Sequence, residues 1–137
     1  MAVLYRLSQN KMSTSKAYGK WFAQAVMTGT IDTDALAEIM QSNCTVKKAD
    51  ILAVISELIE TMQNELQNSK RVKLNGLGAF KLGIENEPGG AATAADFSAG
   101  KNIKGLHVLF QPEVKTDTTG QRRKTFNDQI GRAVQQE

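Results

Sequence analysis

Few residues in this chain are chemically versatile, and their types limit what it can do. His107 is the only histidine and Cys44 the only cysteine among 137 residues, so no zinc-binding spacing can be assembled from them. His107 falls in an alternating segment, on the side opposite Leu106, Val108 and Phe110. That suits a surface or edge position better than a ligand role. Cys44, beside Asn43 at a junction between two helical patterns, reads as a small packed residue more than as a nucleophile. Gly76-Leu77-Gly78 opens like a phosphate loop, but Lys81 stands where the third glycine of G-x-G-x-x-G belongs, and strand pattern follows. These glycines are expected to form a bend or bulge. No catalytic constellation emerges, and no cofactor, metal or small-molecule substrate is implied.

What remains is cationic. Residues 46 to 84 hold six Lys/Arg against four acids, whereas residues 85 to 112 hold two against three, so the basic excess lies beside one segment and not along the whole chain. Its members are Lys47, Lys48, Lys70, Arg71, Lys73 and Lys81, and Arg122, Arg123 and Lys124 form a second cluster. Such groups can neutralise phosphates. A net charge of +3 favours an anionic partner only weakly, and an ordinary solvated surface is the competing reading.

The elements that must carry these cations follow from periodicity. Val72 and Leu74 alternate with Lys73 and Asn75; beyond the glycine bend Phe80, Leu82 and Ile84 alternate with Lys81 and Gly83. Leu106, Val108 and Phe110 alternate in turn with His107, Leu109 and Gln111. Two-residue period marks strands, so a ribbon is expected, flanking an insert poor in core-forming residues. Only Phe97 is large and apolar in the stretch from Glu85 to Gly100, which predicts mobility over residues 85–103 without a ligand.

Helices precede the ribbon. Asp32 is placed to cap a helix over residues 32–42 that carries Leu36, Ile39 and Met40. Thr45 is expected to cap the next, over residues 45–67, whose Ile51, Ile55, Leu58, Met62 and Leu66 step by three or four while Leu52 and Ile59 widen the face. A helix apolar on two seams needs two covers. A second copy of the chain supplies the second, making a homodimer, unless residues 1–30 cover it within one chain. In that N-terminal segment residues 2–7 read as a strand, and Tyr18, Trp21, Phe22, Ala25 and Val26 give the stripe of a helix over residues 17–27. After Pro112 a loop leads to a short helix carrying Phe126, Ile130 and Val134, with the Arg122–Lys124 cluster at its start or, since like charges there oppose the dipole, serving a partner or lying before the helix proper. The single cysteine and the lack of an apolar run near the roughly 18 residues of a membrane span point to a reducing, cytoplasmic location without membrane contact.

This order of helix, helix, strand with Gly76-Leu77-Gly78-Ala79-Phe80 at its bend, ribbon, and return strand ending Phe110-Gln111-Pro112 resembles the HU and integration-host-factor family of bacterial nucleoid proteins. Within it the chain looks like the extended, Bacteroides-type HU-like proteins that carry an additional N-terminal segment. Val72 to Lys81 is the most specific stretch, similar to the family's V-x-L-x-G-F-G-x-F-K, and the likeness covers about residues 31–126.

The resemblance implies an α+β, HU-like fold: an intertwined dimer with a helical body, a β-sheet saddle and two protruding β-arms that embrace the DNA minor groove and bend it with apolar wedges. Carried over by position, Lys73, Asn75, Gly78 and Lys81 belong to the saddle, and Lys101 and Lys104 to the returning arm strand. The family's arms are rich in Arg and Lys and place a proline in an Asn-Pro setting near the tip. Here Glu85 and Glu87 occupy the outgoing arm, Pro88 comes early, and the tip is Ala91-Ala92-Thr93-Ala94-Ala95. Phosphate contacts are therefore expected from the saddle and from the basic residues at both ends of the ribbon: Lys70, Arg71 and Arg122, Arg123, Lys124.

The expected organisation is an N-terminal extension of strand plus helix, residues 1–30, packed on the body; an HU-like domain, 31–126, with its arm at 85–103; and a helical tail, 127–137. The expected function is non-enzymatic, largely sequence-independent binding of double-stranded DNA in the nucleoid. The alternative is a protein-interaction or structural member of the fold whose arms no longer hold DNA.

Overall fold

A computed structural model of the chain describes residues 3–116, 118 and 120, and the backbone of strand residues 122–124. Helix α1, Thr33–Asn43, starts as local chemistry requires. The Asp32 carboxylate accepts the Ala35 N–H at 2.9 Å, and Asp34 lies in the first turn, where the helix dipole favours a negative charge. Helix α2, Lys48–Gln67, begins three residues later than expected, and Thr45 does not cap it. The reason lies in α1: the Gln41 side chain accepts the Lys48 N–H at 2.6 Å, while the Lys48 ammonium bridges Asp34 at 3.1 Å and Glu38 at 3.2 Å. One helix thus caps the other and fixes their junction.

The end of α2 sets the direction of everything after it. Ser69 N–H donates to Leu66 C=O and Lys70 N–H to Glu65 C=O, the two bonds of a Schellman turn. Ser69 occupies the left-handed position at φ 62°, where a side chain is strained and glycine is not. Ser69→Gly should therefore raise stability by about 0.5–1 kcal/mol in denaturant unfolding; an unchanged midpoint would show that the turn stores no strain.

Strands β3 (Val72–Leu74), β4 (Gly78–Asn86) and β5 (Ile103–Pro112) form one antiparallel sheet in the order β3-β4-β5. The register pairs Phe80 with Phe110, Leu82 with Val108 and Ile84 with Leu106. The alternating apolar residues therefore share one face, and the Phe80 and Phe110 rings meet at 4.9 Å between centroids. The segment between β4 and β5, expected to be an arm, folds back on itself. Glu87 C=O accepts from Gly90 N–H around Pro88 and Gly89, the latter at φ 97°, the proline-glycine arrangement of a type II turn.

Asn102, at the end of the short helix α3 (Ala99–Asn102), closes the arm. Its carbonyl accepts Glu87 N–H at 2.8 Å, its side-chain oxygen accepts Ser98 N–H at 2.9 Å, and its amide donates to Gly90 C=O at 3.2 Å. The stretch expected to lack anchors is thus held by hydrogen bonds instead of apolar contacts. Asn102→Ala removes two of them and should speed proteolytic cutting between residues 87 and 102 roughly tenfold. An unaltered cleavage rate would mean the clasp is not what orders the arm.

Two elements differ in type from expectation. Residues 17–27 do not form a helix: β2 (Trp21–Ala25) pairs antiparallel with β1 (Tyr5–Gln9). Gly19 at φ 80° breaks right-handed geometry just before it, and all five residues of β2 are exposed, so no buried face exists for a helical stripe to serve. Arg122–Lys124 does not start a helix either. It is β7, paired with β6 (Val114–Thr116), an extended form in which adjacent cations avoid the positive end of a helix dipole. The helix expected around Phe126–Val134, and the tail 127–137, lie outside the described residues.

Among the described residues the buried apolar side chains are Ala37, Ile51, Leu66 and Ala79. Ala37, Ile51 and Leu66 lie on the paired helices, and Ala79 lies within the sheet. The rest of the apolar sheet face stays open, with Leu106 61% and Val108 59% exposed, and Val54, Leu58 and Ile59 are exposed on α2. The β1–β2 hairpin packs chiefly on itself, so in this chain it does not cover the second seam of α2. Cys44, expected to be packed, is exposed, and its thiol donates to Met40 C=O at 3.0 Å.

Candidate nucleic-acid interface

The face of the sheet opposite the apolar one is built from the remaining alternate positions. Lys73 pairs with Ala79, Ala79 with Gln111, and Lys81 with Leu109, so Lys73 and Lys81 project from the same side. Arg71 precedes Val72 by one residue and shares that parity. Its guanidinium donates to the Gln111 side chain at 3.3 Å, which ties the entry of β3 to the far strand β5. Arg71 and Lys73 line an open groove of about 600 Å³ with Gly78, Gln111, Pro112 and Glu113. Arg71 also lines a second groove, with Lys70 and Lys81 and with Leu82, Ile84 and Leu106 of the apolar alternation. The Schellman turn thus delivers Lys70 and Arg71 to the sheet that carries Lys73 and Lys81.

Small residues let the strands beside these cations approach closely. Ala79 is buried between the strands bearing Lys73 and Gln111. At Gly78, φ is 151°, and a Cβ would collide with the Gln111 carbonyl and stand 2.8 Å from the Phe110 ring. Glycine is required there for close strand approach, a stricter need than the bend expected of it. Asn75 lies exposed in the turn between β3 and β4, where Leu77 N–H donates to Leu74 C=O.

Beyond Lys81 the sign of the face changes. Glu85, paired with Gly105, shares its side, and the Glu85 carboxylate stands 3.6 Å from His107 Nδ1. The His107 ring lies across Gly83, where a Cβ would come within 2.7 Å of Nε2. His107 is thus a half-exposed surface residue, as its position in the alternation implied. Lys104 stands at a bulge where pairing jumps from Glu85–Gly105 to Asn86–Ile103. It is about 15 Å along the ribbon from Lys81 at strand rise. Lys101 is exposed in α3 at the arm end. These two are therefore separated from the central cluster by acidic positions.

Several cations are already engaged. Two hydrogen bonds, to Asp34 first and Glu38 second, raise the Lys48 pKa above its ordinary 10.5, and the same carboxylates neutralise its charge locally. Lys47 and Lys48 were grouped with the sheet cations by sequence position alone; Lys48 serves the helix junction instead. Lys70 faces Glu65 at 3.5 Å, both well exposed, a weak pair that phosphate could displace. Lys115 was missed in the sequence. It is exposed in β6 and pairs with Arg123 of β7, which brings a further cation into the ribbon holding Arg122, Arg123 and Lys124. Only the alternation of Val114-Lys115-Thr116 could have suggested it.

Among the described residues no cluster of three or more His, Cys, Asp or Glu could hold a metal ion, and no helix is long and apolar enough to cross a membrane. No curated protein matches the chain. Among solved structures it is similar in fold to a chain from Bacteroides vulgatus ATCC 8482 described as a presumptive bacterial DNA binding protein, with a TM-score of 0.60 and 18% identity. That likeness covers 80% of this chain and 41% of the other, so this chain spans about two fifths of that protein. The family model HU-HIG, an HU domain fused to a wHTH, Ig or glycine-rich motif, matches residues 1–127. That match spans both long helices and the three-stranded sheet, so the chain belongs to the HU-HIG family.

Proposed function

We propose that this chain binds double-stranded DNA with little sequence preference, in an architectural and non-catalytic role, as a homodimer whose paired sheets form the saddle. The observation that carries the reading is the division of the β3–β5 sheet: Arg71, Lys73 and Lys81 on one side, an open apolar face on the other. Cations on a flat β surface contact phosphates without reading base edges. A second copy laid on the apolar face would cover it and leave Arg71, Lys73 and Lys81 on the outer side, free for phosphates.

Lys70, Asn75 and Gly78 belong to this surface; Lys101, Lys104 and the Arg122–Lys124 strand are outer contacts. The Bacteroides vulgatus neighbour's description agrees with a DNA ligand. The division into an extension, 1–30, an HU-like domain, 31–126, and a tail, 127–137, and a place in the nucleoid, belong to the same proposal. The extension enters it as a hairpin.

Binding of a 30-base-pair duplex across a salt series tests the reading. Log affinity should fall linearly with log salt, by about 0.9 per phosphate contact. Absence of salt-dependent binding would favour the second reading, a protein-interaction member of the fold, for which acidic Glu85 and Glu87 on the arm are the specific support.

A further inference from the structure

The β1–β2 hairpin has two unlike faces, and the sheet site does not use either. Its register pairs Tyr5 with Ala25, Leu7 with Ala23 and Gln9 with Trp21, which makes one face apolar. The other carries Arg6 opposite Gln24 and Ser8 opposite Phe22. The ladder continues one step, since Asn10 N–H donates to Lys20 C=O and Gly19 N–H to Asn10 C=O at 2.9 Å each, so Lys20 joins Arg6 and Phe22. Phe22 therefore stands between two cations: Lys20 is two residues away along β2, about 7 Å, and Arg6 is a diagonal neighbour across the pair.

Phe22 is 49% exposed, and Arg6 and Lys20 are exposed beside it. The connecting loop adds Lys11, Lys16 and an exposed Tyr18. Residues 1–31 contain four basic side chains and no Asp or Glu. None of the four forms an ion pair with a carboxylate among the described residues. An exposed aromatic ring on a β surface, flanked by unneutralised cations, is the arrangement that stacks an unpaired base and holds its flanking phosphates.

From this geometry we infer that the hairpin is a second nucleic-acid site, specific for single strands, in which Phe22 stacks a base while Arg6 and Lys20 hold the adjoining phosphates. The site does not depend on duplex binding by the sheet. Charge decides against a second copy of the hairpin as the occupant, because a surface with four cations and no acid repels itself.

The test uses the full chain with fluorescein-labelled dT20, rU20 and a 20-base-pair duplex. The unaltered protein should bind both single strands, and Phe22→Ala should weaken them about 5- to 150-fold while leaving duplex affinity within twofold. Phe22→Trp should restore single-strand binding. Lys20→Glu, at the hairpin's loop end where it cannot disturb a core, should also lower it. Comparing dT20 with rU20 tells a DNA from an RNA strand. Single-strand affinity within twofold of the unaltered chain in both Phe22→Ala and Lys20→Glu overturns the inference, whatever the duplex result. A fall in sedimentation mass on Phe22→Ala with oligonucleotide binding intact also overturns it, by making the face a contact between copies. An unaltered chain that binds the single strands but not the duplex would sink the sheet reading and leave this one standing.

Discussion

Replacing Arg71, Lys73 and Lys81 together by alanine is expected to flatten the dependence of log affinity for duplex DNA on log salt by about five, since a dimer loses six cations at about 0.9 each. At low salt this should remove most measurable binding. The expectation rests on their common side of the sheet and on Arg71 lining both grooves. Fold should be little affected, because all three are exposed and only Arg71 makes a side-chain hydrogen bond, to Gln111. Pro88→Ala is the control: Pro88 starts the turn from Glu87 to Gly90 and is not placed as a wedge, so the salt slope should stay. If Pro88→Ala abolishes binding while the triple change is silent, the contacts belong to the arm and not to the sheet.

The second large effect concerns Val108→Asp. In a lone chain Val108 is 59% exposed, and a polar replacement there would change stability by no more than about 0.5 kcal/mol. In a homodimer the same residue is covered, and burying an unpaired carboxylate would cost about 3 kcal/mol or more per protomer. The unaltered chain should sediment at about twice 15.0 kDa, and Val108→Asp should unfold, because obligate dimers seldom have a stable monomer to fall back on. A Val108→Asp chain that melts like the parent would remove the apolar sheet face from the interface.

The ribbon was legible in the sequence because its information is local. Alternation of Phe80, Leu82, Ile84 with their neighbours, and of Leu106, Val108, Phe110, fixes faces without any knowledge of the partner strand, and the observed register joins those very residues. The cap of α1 was legible for the same reason, since Asp32 reaches a donor three residues on. The start of α2 was not, because the group that accepts its Lys48 N–H comes from Gln41, and the carboxylates that hold the Lys48 ammonium from Asp34 and Glu38, all in α1. The spacing of Trp21, Phe22, Ala25 and Val26 suits a helix only if something buries the stripe, and nothing in the spacing tells whether it does. At the site, residue type identified the cations but not their engagements. That Lys48 is occupied, and that Lys115 is drawn alongside Arg123, depend on folding that brings distant segments together.

Strand β3 is only three residues long and pairs with Gly78–Phe80 alone. Among the described residues no strand lies on that flank of β4 from Lys81 outward, and none lies on the outer flank of β5. Their free N–H and C=O groups form a template on which further strands could add. Charged Lys81 and Glu85 and the bulge at Lys104 interrupt that template, as gatekeepers do. A chain without the proposed second copy would nonetheless present these edges together with Ile84, Leu106 and Val108. Its failure would then be intermolecular: turbidity and sheet-rich deposits that grow with concentration, in place of a soluble unfolded monomer.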